Sequence, residues 1–149
     1  MNQDLKTLLH KFDEDGAYEF PVNFDYETLE IMARAVENHL VSSGLKTTFQ
    51  GAVYNQDASF SIAIILDDYK KVSSSAVQLP VIRFSNFGFM ATLTYIDFMP
   101  ENISKLIIDV LIKNKFMYVP CDDLKVEYDG VMNDKRTFST WWIRYFDWL

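Results

Sequence analysis

The chain has 149 residues, 49% hydrophobic and 23% charged, long enough to bury about two thirds of its unfolded surface and too apolar for disorder, so one domain over 1–149 is expected. Its net charge of −7, from 21 acidic against 14 basic residues, argues against nucleic acid as a partner, because affinity for a phosphate backbone comes mostly from Lys and Arg. The lone cysteine, Cys121, rules out an internal disulfide, and the longest apolar run, Ile62 to Leu66, is far too short for a membrane span.

The opening stretch MNQDLKTLLHKF has no basic segment followed by a long apolar run, so no signal peptide is expected and the chain is assigned to the cytoplasm. Leu5, Leu8, Leu9 and Phe12 recur at helical spacing and predict a short first helix, which the cluster Asp13, Glu14, Asp15, Gly16 ends. That cluster lacks the alternating ligand spacing and closing Glu of a calcium loop and reads as a solvated turn. A second helix follows FPVNFD, with Asp25 as N-cap, Leu29, Met32, Ala33, Val36 and Leu40 on one face, and Gly44 at its end.

Thr47 to Tyr54 and Ser59 to Leu66 then read as a hairpin, rich in Thr, Val, Ile and aromatic residues. DDYKKVSSSAVQ is a polar loop, and Leu79 to Ser85 with Phe89 to Ile96 form a second hairpin around Asn86-Phe87-Gly88. After a break at Asp97 to Pro100, Ile103, Leu106, Ile107, Val110 and Leu111 define a third helix. Phe116 to Val119 is a brief strand stopped by Pro120, the acidic connection after it has room for one helical turn, and a closing helix starts near Thr137. The fold class is therefore α+β: an antiparallel four- to five-stranded sheet packed by helices, in the order α-α-β-β-β-β-α-β-α.

On the closing helix Phe138, Trp141, Tyr145 and Trp148 form one stripe, flanked by Trp142, Phe146 and Leu149. Each large ring buries on the order of 150–250 Å² when covered, so these rings are expected to clasp the core shut, with Trp141, Trp142 and Phe146 alike in importance.

Chemistry-bearing motifs are missing from this pattern. His10 and His39 are far apart and read as surface residues, no Cys/His spacing suggests zinc, and no Gly-rich phosphate loop or nucleophile elbow occurs. Neither a cofactor nor a metal is expected. The carboxylate pairs Asp67-Asp68 and Asp122-Asp123 sit at the edges of elements, where solvated charge is the default. A small metal-dependent hydrolase would need such carboxylates to converge in a pocket. A non-inhibitory adaptor domain would share the same composition.

RFSNFG at 83–88 followed by ATLT, FMYVP at 116–120, YDG at 128–130 and the terminal WWIRYFDWL together resemble small bacterial immunity proteins. These are the antidotes of contact-dependent growth inhibition and related polymorphic toxin systems, and the resemblance covers roughly the second half of the chain. It implies a cytoplasmic protein that binds one cognate toxin domain and occludes it; from the missing motifs, the charge and the short apolar runs, no enzymatic activity and no nucleic-acid or membrane partner are expected. No interface residue carries over, because each such protein reads its own toxin through its own surface. Charge and resemblance together point to a basic, nuclease-type toxin met by Asp67, Asp68, Asp122, Asp123, Glu127 and Asp129, which lie in exposed connections where recognition is usually built.

Overall fold

A computed structural model describes residues 2–51, 62–132 and 138–146. The expected turn at Asn55 to Asp57, Phe60, and the tail residues Trp148 and Leu149 lie outside the described residues. Helix α1 spans Gln3–Lys11, with Asn2 as N-cap accepting from the Leu5 amide. Helix α2 spans Tyr26–Ser42, and the Asp25 side chain caps it as expected, accepting from the Thr28 amide. The Thr28 hydroxyl, which donates to Asp25 at 2.6 Å, and then the Thr28 amide hold the Asp25 carboxyl below its usual range. Gly44 follows α2 at φ +92°, a conformation that costs glycine little.

The sheet is built from β1 (Thr47–Gln50), β2 (Ile62–Leu66), β5 (Val81–Phe84), β6 (Met90–Leu93) and β7 (Met117–Tyr118), in the spatial order β1-β2-β5-β6-β7. Between β2 and β5 the expected polar loop instead forms a small two-stranded hairpin, β3 (Lys71–Val72) with β4 (Val77–Gln78). The sequence reading of an antiparallel sheet needs correction, because β7 pairs parallel to β6. The cause is the crossover: helix α3 (Glu101–Lys113) returns the chain to the end of the sheet where β6 began, so the next strand must run the same way.

Helices α2 and α3 cover one sheet face. Leu29, Ala33, Val36 and Leu40 from α2, with Ile107, Val110 and Leu111 from α3, pack over Ile62, Ile64, Leu66, Ile82 and Phe84. On β6 the alternation of a strand sends Ala91 and Leu93 into this core and Met90 into a second one. All four residues of β6 are buried, as befits a strand covered on both faces.

That second core joins the two halves of the sequence. Leu9 from α1 meets Phe87, Val119, Leu124, Tyr128, Phe138 and the short helix α4 (Trp141–Tyr145), which Thr140 caps through its side chain. At its centre lies one side chain of the turn expected to be solvated: Asp15 and Gly16 are exposed, but the side chains of Asp13 and Arg144 form an ion pair at 2.8 Å with no exposure of either. Asp13 also accepts from the Tyr128 hydroxyl and, at 2.8 Å, from the Val131 amide. Arg144 donates further to the Tyr18 and Glu14 carbonyls, and its guanidinium lies over the rings of Phe87 at 4.5 Å and Phe138 at 5.0 Å. Gly130 is required here, since a Cβ would stand 1.9 Å from the Asp13 carboxylate.

Tyr128 gives this knot a pH signature. Burial, reinforced by the hydrogen bond to Asp13, pushes its phenol from 10.0 up to about 12. The unfolded chain releases that proton first, so Tyr128 contributes its full stability below pH 10 and loses it as pH rises to about 12. Burial also raises the Tyr145 phenol, which donates to the Leu9 carbonyl. Alkaline titration is therefore expected to show tyrosinate absorbance rising together with loss of folded signal, and Tyr128→Phe should remove part of this pH dependence. Equal alkaline midpoints for the two proteins would contradict the assignment.

Candidate partner-binding site

Strands β2, β6 and β7 run in the same direction, so their C-terminal ends share one end of the sheet. The register makes this concrete: the Leu66 amide bonds to the Pro80 carbonyl, Thr94 to Val81, and Val119 to Ala91. Asp67 and Asp68, which open a 3-10 turn after β2, therefore come to the same end as Asp122 and Asp123, which lie in the first turn of another that starts at Cys121. Three strand spacings separate β2 from β7, which puts the ends of these two strands about 15 Å apart along the rim. Asp97, between them after β6, adds a carboxylate that the sequence reading treated only as a strand breaker.

Not every rim group is free. Asp67 accepts from the Thr48 hydroxyl at 2.8 Å, and Asp122 pairs at 3.3 Å with Lys125, both being strongly exposed. Lys71 also belongs to this rim, its ammonium 4.1 Å from the centre of the Phe98 ring.

The other two expected acids separate from this group. Glu127 makes a backbone bridge to Thr140 and borders a second depression of about 330 Å³ with Lys6, Asp129 and Trp141. Asp129 is engaged within the molecule: it takes the Lys6 ammonium at 3.0 Å, the His10 ring at 3.1 Å and the Trp141 indole at 3.3 Å. The Lys6 contact is the leading reason its carboxyl sits below the usual range. Asp129 thus ties α1 to α4 while its side chain stays 46% exposed.

Between Asp97 and Asp122 lies a cleft of about 450 Å³, walled by Tyr95, Tyr118 and Trp142 and reaching Cys121. Tyr95 is 46% exposed and adopts a left-handed backbone at φ +50°, an uncommon state for a residue with a Cβ. It stacks on Phe98 with centroids 4.8 Å apart. Trp142, expected in the core, is only partly buried; it stacks on Phe146 at 5.6 Å and presents its ring to the cleft. Burial raises both the Tyr118 phenol and the Cys121 thiol. Tyr95 and Tyr118 were missed by sequence reasoning, whose only available signal was an aromatic residue at each strand end.

Among the described residues, no group of three or more His, Cys, Asp or Glu side chains is placed to hold a metal ion. Nor is any helix among them long and apolar enough to cross a membrane. Comparison with protein-family models, with curated proteins and with solved structures finds no match to this chain.

Proposed function

We propose that this is a cytoplasmic immunity protein that binds a cognate, basic, nuclease-type toxin domain and neutralises it by covering its active site. The observation that carries the reading is the placement of Asp67-Asp68 and Asp122-Asp123, more than fifty positions apart in sequence, at one end of the sheet with Asp97 between them. A row of carboxylates spaced along a rigid sheet end suits a cleft that otherwise holds substrate phosphates, and the net charge of −7 steers a basic domain toward it. The similarity of RFSNFG, YDG and WWIRYF to immunity proteins supports the same reading.

The test is to identify a toxin domain in the gene upstream and co-express it with this protein, scoring cell survival and the association rate of the purified pair at two ionic strengths. Wild type is expected to protect and to associate more slowly as salt rises. The paired reversals Asp67→Lys with Asp68→Lys, and Asp122→Lys with Asp123→Lys, should each slow association about tenfold or more at low salt. Asp129→Asn should leave the association rate unchanged. Folded reversal variants that associate as fast as wild type would remove the rim from the interface, and failure of wild type to protect would remove the immunity function itself.

A further inference from the structure

The cleft beside the acidic rim has a more specific chemistry than the rim. Its walls are three aromatic rings from three separate segments: Tyr95 after β6, Tyr118 in β7 and Trp142 in α4. Its mouth carries Asp97 and Asp122, both exposed. Ring faces carry negative potential and attract cations, and an arginine side chain can lay its guanidinium flat on a ring while its forked donors reach a carboxylate. The volume, about 450 Å³, lies in the range of pockets that enclose a compact group and exceeds a surface dimple.

Two cations stand beside this cleft. Arg83 lies with its guanidinium 5.8 Å from the Trp142 ring and donates to the Phe146 carbonyl at 3.4 Å, so it braces the indole from within the fold. Lys125 occupies the mouth through its exposed pair with Asp122. Such solvated pairs have little net worth, so a better-matched cation entering from outside can displace the lysine and take the carboxylate.

We infer that this cleft receives an arginine side chain of the basic partner, stacked on Trp142 and Tyr95 and held at the mouth by Asp97 and Asp122. This deepens, and rests on, the reading of a basic protein partner. The arginine serves as the anchor of the interface, the kind of residue on which binding energy concentrates, while the outer aspartates govern encounter.

Cys121 lines the cleft and is the only cysteine in the chain, which makes it a reporter. Intact protein is alkylated with iodoacetamide at mildly alkaline pH, with N-acetyl-arginine amide or its neutral isostere N-acetyl-citrulline amide present. Only empty clefts react, so arginine at ten times its dissociation constant should slow alkylation about tenfold, the factor being one plus the ratio of concentration to that constant. Citrulline should leave the rate unchanged. Asp97→Asn combined with Asp122→Asn, both at exposed positions where folding is insensitive, should abolish the protection. Absence of protection by arginine, equal protection by citrulline, or full protection in the double variant would each overturn the proposal. Survival in the co-expression assay is scored separately. Protection of cells without arginine binding would leave the immunity reading standing and remove the cleft; arginine binding without protection of cells would do the reverse.

Discussion

Replacing Arg144 with Met is expected to lower the free energy of unfolding by about 3–5 kcal/mol, because it strands a buried carboxylate. Asp13 has no exposed side-chain surface, and Arg144 is its only cationic partner among the described contacts. The Tyr128 hydroxyl and the Val131 amide would still donate to it, but neither supplies a balancing charge. Asp13→Ala should cost a similar amount by leaving the guanidinium uncompensated among Phe87, Phe138 and Tyr145. The double variant Asp13→Ala with Arg144→Met should be more stable than either single one, since a buried pair as a whole contributes far less than the penalty for breaking it. Urea denaturation with unchanged slope measures all three. Single variants within about 1 kcal/mol of wild type would show that water reaches the pair in solution.

Local signals in the sequence were reliable wherever the physics is local. The apolar stripes of α1, α2 and α3 and the Asp25 cap can be read within one or two turns of helix, and all four appear where their spacing puts them. The parallel placement of β7 could not be read that way, because its pairing is decided by how α3 returns the chain across the sheet. Asp13 looks as solvated in sequence as Asp15 and Gly16 for a similar reason: the arginine that makes its burial possible lies 131 positions away. The YDG motif shows the same limit residue by residue. Tyr128 reaches Asp13, Asp129 gathers Lys6, His10 and Trp141, and Gly130 leaves room for the Asp13 carboxylate.

The candidate site was legible as residues but not as a place. Asp67, Asp68, Asp122 and Asp123 are identifiable as acids at element ends, yet only the shared direction of β2, β6 and β7 brings them to one rim. Charge alone could not distinguish Asp129, held by Lys6 and the Trp141 indole, from Asp122, whose only ion-pair partner among the described residues is an exposed lysine. The expected aromatic clasp likewise treats Trp141 and Trp142 as alike in importance, although the two rings face different surroundings.

That difference sets the last expectation. Trp141 is 1% exposed; its ring packs against Tyr128 at 4.7 Å, His10 at 5.0 Å and Tyr145 at 5.5 Å, and its indole N–H reaches Asp129. Trp141→Ala should cost about 3–5 kcal/mol through lost burial and the cavity left behind, which for a domain of ordinary stability is a large share of about 5–15 kcal/mol. Trp142 keeps one side toward the cleft, so Trp142→Ala should cost clearly less, about 1–2 kcal/mol, while weakening arginine protection of Cys121. The two variants are thus expected to dissociate stability from binding within adjacent residues of one short helix. If thermal melts and urea curves show equal losses for both, the indole of Trp142 belongs to the core in solution and the cleft closes over it. If Trp141→Ala melts like wild type, the Trp141 ring is not what holds the two ends of the chain together, and the Asp13–Arg144 pair, the Asp129 contacts and the Tyr145 bond to Leu9 carry that role.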